Sequence, residues 1–207
     1  MNRRLHIALI DDDAAVLDSL RLYFSRQEID TAVFSEAGVF LGAVREGARF
    51  DCVVSDVRMP GLDGLDLVRR LKADNISAPI ILITGHGDID MAVAAIKIGA
   101  FDFIEKPFDE ARLLTSIRNA VDQSGPGDID DRQLAELRAR ADTLSARQRQ
   151  VMELAVKGFS NKEIGAQLNI SPKTVENHRA WVMERIGARN IADLVRIAMT
   201  IEGKPGR

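Results

Sequence analysis

Several common structural devices are missing from this chain of 207 residues. It has one cysteine, Cys52, so no internal disulfide framework is possible, and its place in an apolar run marks it as a small buried hydrophobe. Apolar runs are short. The stretch from Pro79 to Ile83 falls far below the ~20 residues that a membrane-spanning helix needs. Nothing before Asp11 has the length of a leader, so a cytoplasmic protein without membrane contacts is expected. Internal repeats and low-complexity tracts are also absent, which argues against a solenoid or array. What remains is an ordinary globular composition, 46% hydrophobic and 29% charged, enough for one large or two small cores.

Net charge is small, −3, but unevenly divided: residues 1–124 carry 14 Lys and Arg against 20 Asp and Glu, whereas residues 143–207 carry 11 against 6. An acidic first part and a basic last part suggest two domains with different partners, the second a polyanion. A breaker cluster, Asp122-Gln123-Ser124-Gly125-Pro126-Gly127-Asp128, marks the boundary. The expected plan is a domain over 1–124, a partly helical linker over 125–142 with Leu134 and Leu137 on one face, and a second domain over 143–207.

In the first domain, short β-branched runs alternate with helical spacing. Strands are predicted at His6–Ile10, Thr31–Phe34, Asp51–Ser55, Ile80–Ile83 and Phe101–Glu105. Helices are predicted at Ala14–Gln27, Ser35–Val44 with Ser35 as N-cap, Gly64–Ala73, Asp88–Ile98 and Asp109–Val121. Strict (βα)5 alternation predicts a doubly wound parallel sheet of the flavodoxin-like class, strand order 2-1-3-4-5. The chemistry sits at the strand ends. Strand one stops on Asp11 and Asp12, strand three on Asp56 before the break at Pro60-Gly61, strand four on Thr84, and strand five on Lys106.

In that strand order these side chains converge on the carboxyl edge of the sheet, where open α/β folds bind ligands. Carboxylates sharing one pocket repel unless a hard cation joins them. Mg2+ (or Mn2+) suits a few carboxylates, waters and phosphate oxygens. Thr84 and Lys106 suit the equatorial oxygens of a phosphoryl group in transit, with Asp56 as the nucleophile forming an aspartyl phosphate. An Asp run after a strand is more often a helix cap, and Lys-Pro a plain turn. All four together on one edge form a strong signal.

The second domain packs four helical patterns into about 60 residues: Ala146–Lys157 capped by Ser145, Asn161–Leu168, Pro172–Ile186 capped by Ser171, and Ile191–Thr200. A short helix, a tight turn and a longer helix make a helix-turn-helix, whose second helix enters the DNA major groove. Val175, Val182 and Ile186 form its buried stripe, and Lys173, Glu176, Asn177 and Ala180 the opposite face. Lys162, Lys173, Thr174, His178 and Arg179 suit phosphates; Asn177 can read adenine and Glu176 can accept from cytosine N4.

The stretches Asp11-Asp12, Asp56 through Gly64, Thr84-Gly85 and Lys106-Pro107-Phe108 resemble the receiver domain of bacterial response regulators. Leu144 through Gly158, Asn161-Lys162-Glu163-Ile164 and Ile170 through Arg179 resemble the LuxR-type DNA-binding domain. Together the chain resembles the NarL/FixJ class. The resemblance implies phosphorylation of Asp56 by a sensor histidine kinase, with Mg2+ held by Asp12, Asp56 and the Arg58 backbone carbonyl and with Asp11 acting through water. It also implies a cis Lys106-Pro107 bond and a Phe103 that changes rotamer with Thr84. The homodimer face on phosphorylation would involve Val93, Lys97 and Phe101, with Val93 and Lys97 facing outward.

The implied function is a phosphorylation-switched regulator that binds double-stranded promoter DNA and acts on RNA polymerase, activating transcription. It is not an enzyme: an aspartyl-phosphate phosphatase wants a second Asp two residues after the nucleophile, and Arg58 stands there. The alternative is a phosphorylation-independent DNA-binding regulator whose receiver serves only as an interaction module. Two positions depart from the LuxR pattern. Gln148 replaces the usual Glu of the first helix, which is expected to weaken its internal contacts, and Trp181 stands where similar regulators often carry a basic residue.

Overall fold

The protein is described by a computed structural model covering residues 3–85, 89–123 and 131–203. Five strands, β1 (His6–Ile10), β2 (Asp30–Phe34), β3 (Cys52–Asp56), β4 (Ile80–Thr84) and β5 (Asp102–Glu105), alternate with α1 (Ala14–Arg26), α2 (Ala37–Arg45), α3 (Gly64–Ala73), α4 (Ile89–Lys97) and α5 (Glu110–Gln123). The strands form one parallel sheet in the order β2-β1-β3-β4-β5, with Ile7 opposite Cys52, Asp56 opposite Ile83 and Thr84 opposite Glu105. The three central strands are buried from end to end apart from His6, as a parallel sheet covered on both faces requires. One core cluster joins Ile7, Leu9, Val54, Ile81, Ile83 and Ile104 to Phe24, Leu113 and Ile117. Cys52 is wholly buried, and that burial pushes its thiol above the ordinary range, so it is inert packing.

Element boundaries moved by a residue or two. Asp56 is the last residue of β3 itself, and β5 begins at Asp102 rather than Phe101. Ser35 is not the cap of α2: the cap residue is Glu36, which makes no side-chain capping bond. At α1 and α3 the caps are acidic; Asp13 accepts from the Ala15 N–H and Asp63 from the Asp66 N–H. Most of the breaker cluster lies outside the described residues. On α4 the apolar arc is wider than one sheet-facing stripe: Ala92, Val93, Ala95 and Ile96 are all buried, Val93 to 2% exposure. The expectation of an outward Val93 is therefore corrected, because α4 also packs against the helix Ile191–Ile201, within one compact unit, and so is covered on more than its sheet-facing stripe. Lys97 is exposed, and Phe101 is half-buried against the core cluster.

The helical part contains α6 (Asp131–Asp142), α7 (Ala146–Val156), α8 (Asn161–Leu168), α9 (Pro172–Ile186) and α10 (Ile191–Ile201). Two small cores hold it. Val151, Ala155, Ile164 and Val175 join α7, α8 and α9, while Leu144, Val182, Ile186, Ala188 and Leu194 gather the C-terminal half of α9 with α10. Gln148 caps the start of α7 despite the departure. Its side-chain carbonyl accepts from the Ser145 N–H at 2.9 Å while Ser145 Oγ accepts from the Gln148 N–H, completing a capping box. A Gln at this position can make the reciprocal contact that a capping box requires. Ser160 and Glu163 build the same device on α8.

Candidate functional site

At the carboxyl edge of the sheet, Lys106 reaches back from the end of β5 and bridges two carboxylates. Its ammonium donates to Asp11 Oδ2 at 2.8 Å and to Asp56 Oδ1 at 2.7 Å. The other oxygens are held by backbone: the Asp13 N–H donates to Asp11 Oδ1 at 2.9 Å, and the Arg58 N–H to Asp56 Oδ2 at 2.6 Å. Asp11 and Asp56 are buried. The Lys106–Pro107 bond is cis, and the Lys106 N–H donates to the Thr84 carbonyl at 2.7 Å. Thr84 is wholly buried, and Phe103 is 7% exposed. Asp102 beside it is tied down, accepting from the Ser116 hydroxyl at 2.7 Å and from the Phe103 N–H at 2.8 Å.

Asp12 is exposed, and Lys106 is shared by Asp11 and Asp56. Among the described residues no group of three or more His, Cys, Asp or Glu side chains is arranged to hold a metal ion. Burial pushes the Asp11 carboxyl upward, against the lowering pull of Lys106 and the Asp13 N–H. Burial pulls Lys106 downward, but its hydrogen bonds to Asp11 and Asp56 outweigh this and leave it above the ordinary lysine value.

The Asp11 shift has a testable sign. A carboxyl whose folded pKa is raised binds its proton more tightly in the folded state, so folding stability declines as pH rises through its titration. Asp11→Asn is therefore expected to raise the urea midpoint at neutral pH. The gain should vanish below the carboxylate range; a midpoint lowered at every pH would contradict it.

The loop leaving Asp56 depends on Gly64, the last residue of the stretch that resembles the receiver family. A Cβ on Gly64 would lie 2.6 Å from the Asp56 carbonyl oxygen and 2.9 Å from Val57 Cα, so the start of α3 presses directly on the backbone of the phosphoacceptor candidate. The Gly64 N–H also donates to the Val57 carbonyl at 2.9 Å.

In the helical part, α8 ends on Asn169 in the left-handed region (φ 53°) and α9 starts at Pro172 under the Ser171 cap. A Cβ on Gly165 would lie 2.7 Å from the Ile170 carbonyl, so only glycine lets the turn fold so closely onto α8. Lys162, Lys173, Glu176, Asn177 and Ala180 are exposed. Lys173 pairs with Glu176 at 2.9 Å, an exposed pair worth little and easily exchanged for a phosphate. Thr174 Oγ1 lies 2.8 Å from Ser171 Oγ at the cap.

Two of the phosphate candidates also face protein. Arg179 donates to Asn161 Oδ1 at 2.9 Å and burial lowers its guanidinium pKa, so it braces α9 against the start of α8. His178 turns Nδ1 inward, and among the described residues it is the buried side-chain nitrogen or oxygen with no hydrogen-bond partner. Both could have been suspected from their place beside the buried Val175 and Val182 stripe. Both capping boxes were legible as Ser-x-x-Gln and Ser-x-x-Glu.

An acidic pocket bridged by lysine on a 2-1-3-4-5 sheet, followed by a helix-turn-helix, defines a response regulator. Residues 7–118 match the response regulator receiver domain family and residues 142–198 the bacterial regulatory proteins, luxR family. The chain belongs to the FixJ-like two-component response regulators, which are transcription regulators rather than classical enzymes. It is 46% identical to the transcriptional regulatory protein FixJ of Bradyrhizobium diazoefficiens over 199 residues, 96% of this chain and 97% of that protein. The crystal structure of full-length FixJ from B. japonicum matches with a TM-score of 0.58 at 44% identity, covering 97% of this chain and 98% of that one. The solution structure of the beryllofluoride-activated NtrC4 receiver domain dimer matches with a TM-score of 0.55 at 31% identity, covering 58% of this chain and 98% of that one. No helix among the described residues is long and apolar enough to cross a membrane.

Proposed function

We propose that phosphorylation of Asp56 by a sensor histidine kinase switches this regulator. The observation that carries the reading is the bridge from Lys106 to Asp56 Oδ1 at 2.7 Å and to Asp11 Oδ2 at 2.8 Å. It sets a buried carboxylate and a cation on the edge where a phosphoryl group would arrive. A carboxylate oxygen of Asp56 attacks phosphorus as the phosphohistidine P–N bond breaks, and the histidine leaves neutral once it has taken a proton. Lys106 then trades its carboxylate contact for a phosphoryl oxygen, and Thr84 offers its hydroxyl to another. The donor set is all oxygen, which fits Mg2+ or Mn2+ with retained waters. Asp12, Asp56 and the Arg58 carbonyl would hold the ion directly and Asp11 through water, supplying charge neutralisation at the phosphoryl oxygens.

Movement of Thr84 and Phe103 then favours pairing of two receivers across α4 and β5, where Lys97 is exposed and Phe101 half so. Pairing through Val93 as well requires that it become uncovered. The dimeric form of the similar activated NtrC4 receiver supports this step. Two α9 helices then reach adjacent half-sites of promoter DNA in the cytoplasm, recruiting RNA polymerase to activate transcription.

Light scattering after gel filtration tests the switch, with and without acetyl phosphate and Mg2+. The wild type is expected to pass from monomer to dimer only with the phosphoryl donor, and Asp56→Asn to stay monomeric in both conditions. Identical behaviour of the two proteins would overturn the reading in favour of a phosphorylation-independent regulator.

A further inference from the structure

The one tryptophan of the chain, Trp181, is 50% exposed, the only large hydrophobic so exposed among the described residues of the helical part. It is not loose. Its ring meets that of His178 edge-on, with centroids 5.5 Å apart and planes at 72°, and the His178 Nδ1 is buried. A half-exposed indole set edge-on against one neighbouring ring keeps apolar area, and an N–H donor, available to a partner. Its place on α9 names the partner.

Lys173, Asn177 and Trp181 fall at i, i+4 and i+8, one row on one helix face, and that face also carries exposed Ala180. Two turns separate Lys173 from Trp181, about 12 Å along the axis. A recognition helix enters the major groove by its N-terminal residues, and the groove is itself about 12 Å wide. A side chain that far along the row leaves the base edges and meets the groove wall. That wall is deoxyribose and phosphate, and the apolar faces of the sugars accept an indole.

Resting on the DNA-binding reading, we infer that Trp181, propped by His178, packs against the sugar–phosphate backbone of duplex DNA. The basic excess of residues 143–207 attracts the polyanion to this domain, and Trp181 adds an apolar, sequence-independent contact. It replaces by burial what a basic side chain supplies by charge.

The single tryptophan makes the test direct. Full-length protein, with acetyl phosphate and Mg2+, is titrated at low salt with a fluorescein-labelled random-sequence duplex. Anisotropy reports binding, and intrinsic emission reports Trp181. Wild type is expected to bind with a clear change in tryptophan emission. Trp181→Ala should bind roughly tenfold more weakly, the scale of one well-packed interfacial aromatic, and by the same factor on a second random sequence. Trp181→Phe should stay close to wild type.

The salt dependence separates this contact from a phosphate contact. Trp181→Ala should leave the slope of log affinity against log salt unchanged, whereas Lys173→Ala should reduce it by about one. Binding with unchanged emission, or equal affinity of Trp181→Ala, overturns the inference and leaves DNA binding standing. No duplex binding by wild type at low salt overturns the DNA-binding reading and this inference with it.

Discussion

Lys106→Ala is expected to destabilise the receiver by about 2–3 kcal/mol at neutral pH, below the range for breaking a fully buried ion pair, because 26% of the Lys106 side chain meets water. The substitution leaves Asp11 and Asp56 facing each other with no counter-charge, and Asp11 is pushed up by burial even with the lysine present. The pH dependence follows from the signs. A lysine with a raised folded pKa stabilises below its unfolded pKa, and that contribution is lost as pH rises through the folded one. The deficit should therefore be full at neutral pH and fade in the alkaline lysine range. It should also fade in acid, where Asp11, whose carboxyl is pushed up by burial, takes up a proton and the repulsion ends. Asp11→Asn in the same chain should recover much of the loss, and millimolar Mg2+ should recover part of it. Urea midpoints across pH measure all of this. A deficit that is constant from acid to alkali would mean that Lys106 acts through packing alone.

Gly64→Ala is expected to cost about 3 kcal/mol, the upper end for overpacking a tight site. Both atoms that the new methyl meets first are backbone, the Asp56 carbonyl oxygen at 2.6 Å and Val57 Cα at 2.9 Å, so no flexible side chain can swing aside. The strand end must move, and Asp56 moves with it. Phosphoryl transfer demands in-line geometry, and displacement approaching 1 Å costs up to about a hundredfold in rate. Phosphoryl incorporation from acetyl phosphate, followed by intact mass, should fall with the urea midpoint. Within 0.5 kcal/mol of wild type, the size of an ordinary surface change, the close approach would not be real.

Legibility in the sequence followed how local the physics was. Alternating apolar runs and turn signals located every strand of the sheet to within two residues, since side-chain period is a local property. The strand ends that carry Asp11, Asp56, Thr84 and Lys106 were readable because a parallel sheet of known order brings them to one edge. The orientation of particular side chains was not readable. Asp12 and Asp11 are neighbours of the same type, yet one is exposed and the other buried. Val93 read as surface by helical spacing, but the whole apolar arc of α4 is covered.

The same limit governs the helical part. Arg179 has the chemistry of a phosphate contact, and only the packing of α8 against α9 gives it Asn161 as a partner. His178 shares its face with phosphate-binding candidates, and only the structure turns Nδ1 inward and sets the ring under Trp181. By itself the sequence determined the (βα)5 order, the helix-turn-helix and the types of residue gathered at the strand ends, because periodicity, capping and breakers act over a few residues. The tertiary structure decided which carboxylates share Lys106, what a methyl on Gly64 would strike, and which ring packs against Trp181. The first depends on segments far apart in the chain, and all three on distances that no local pattern carries.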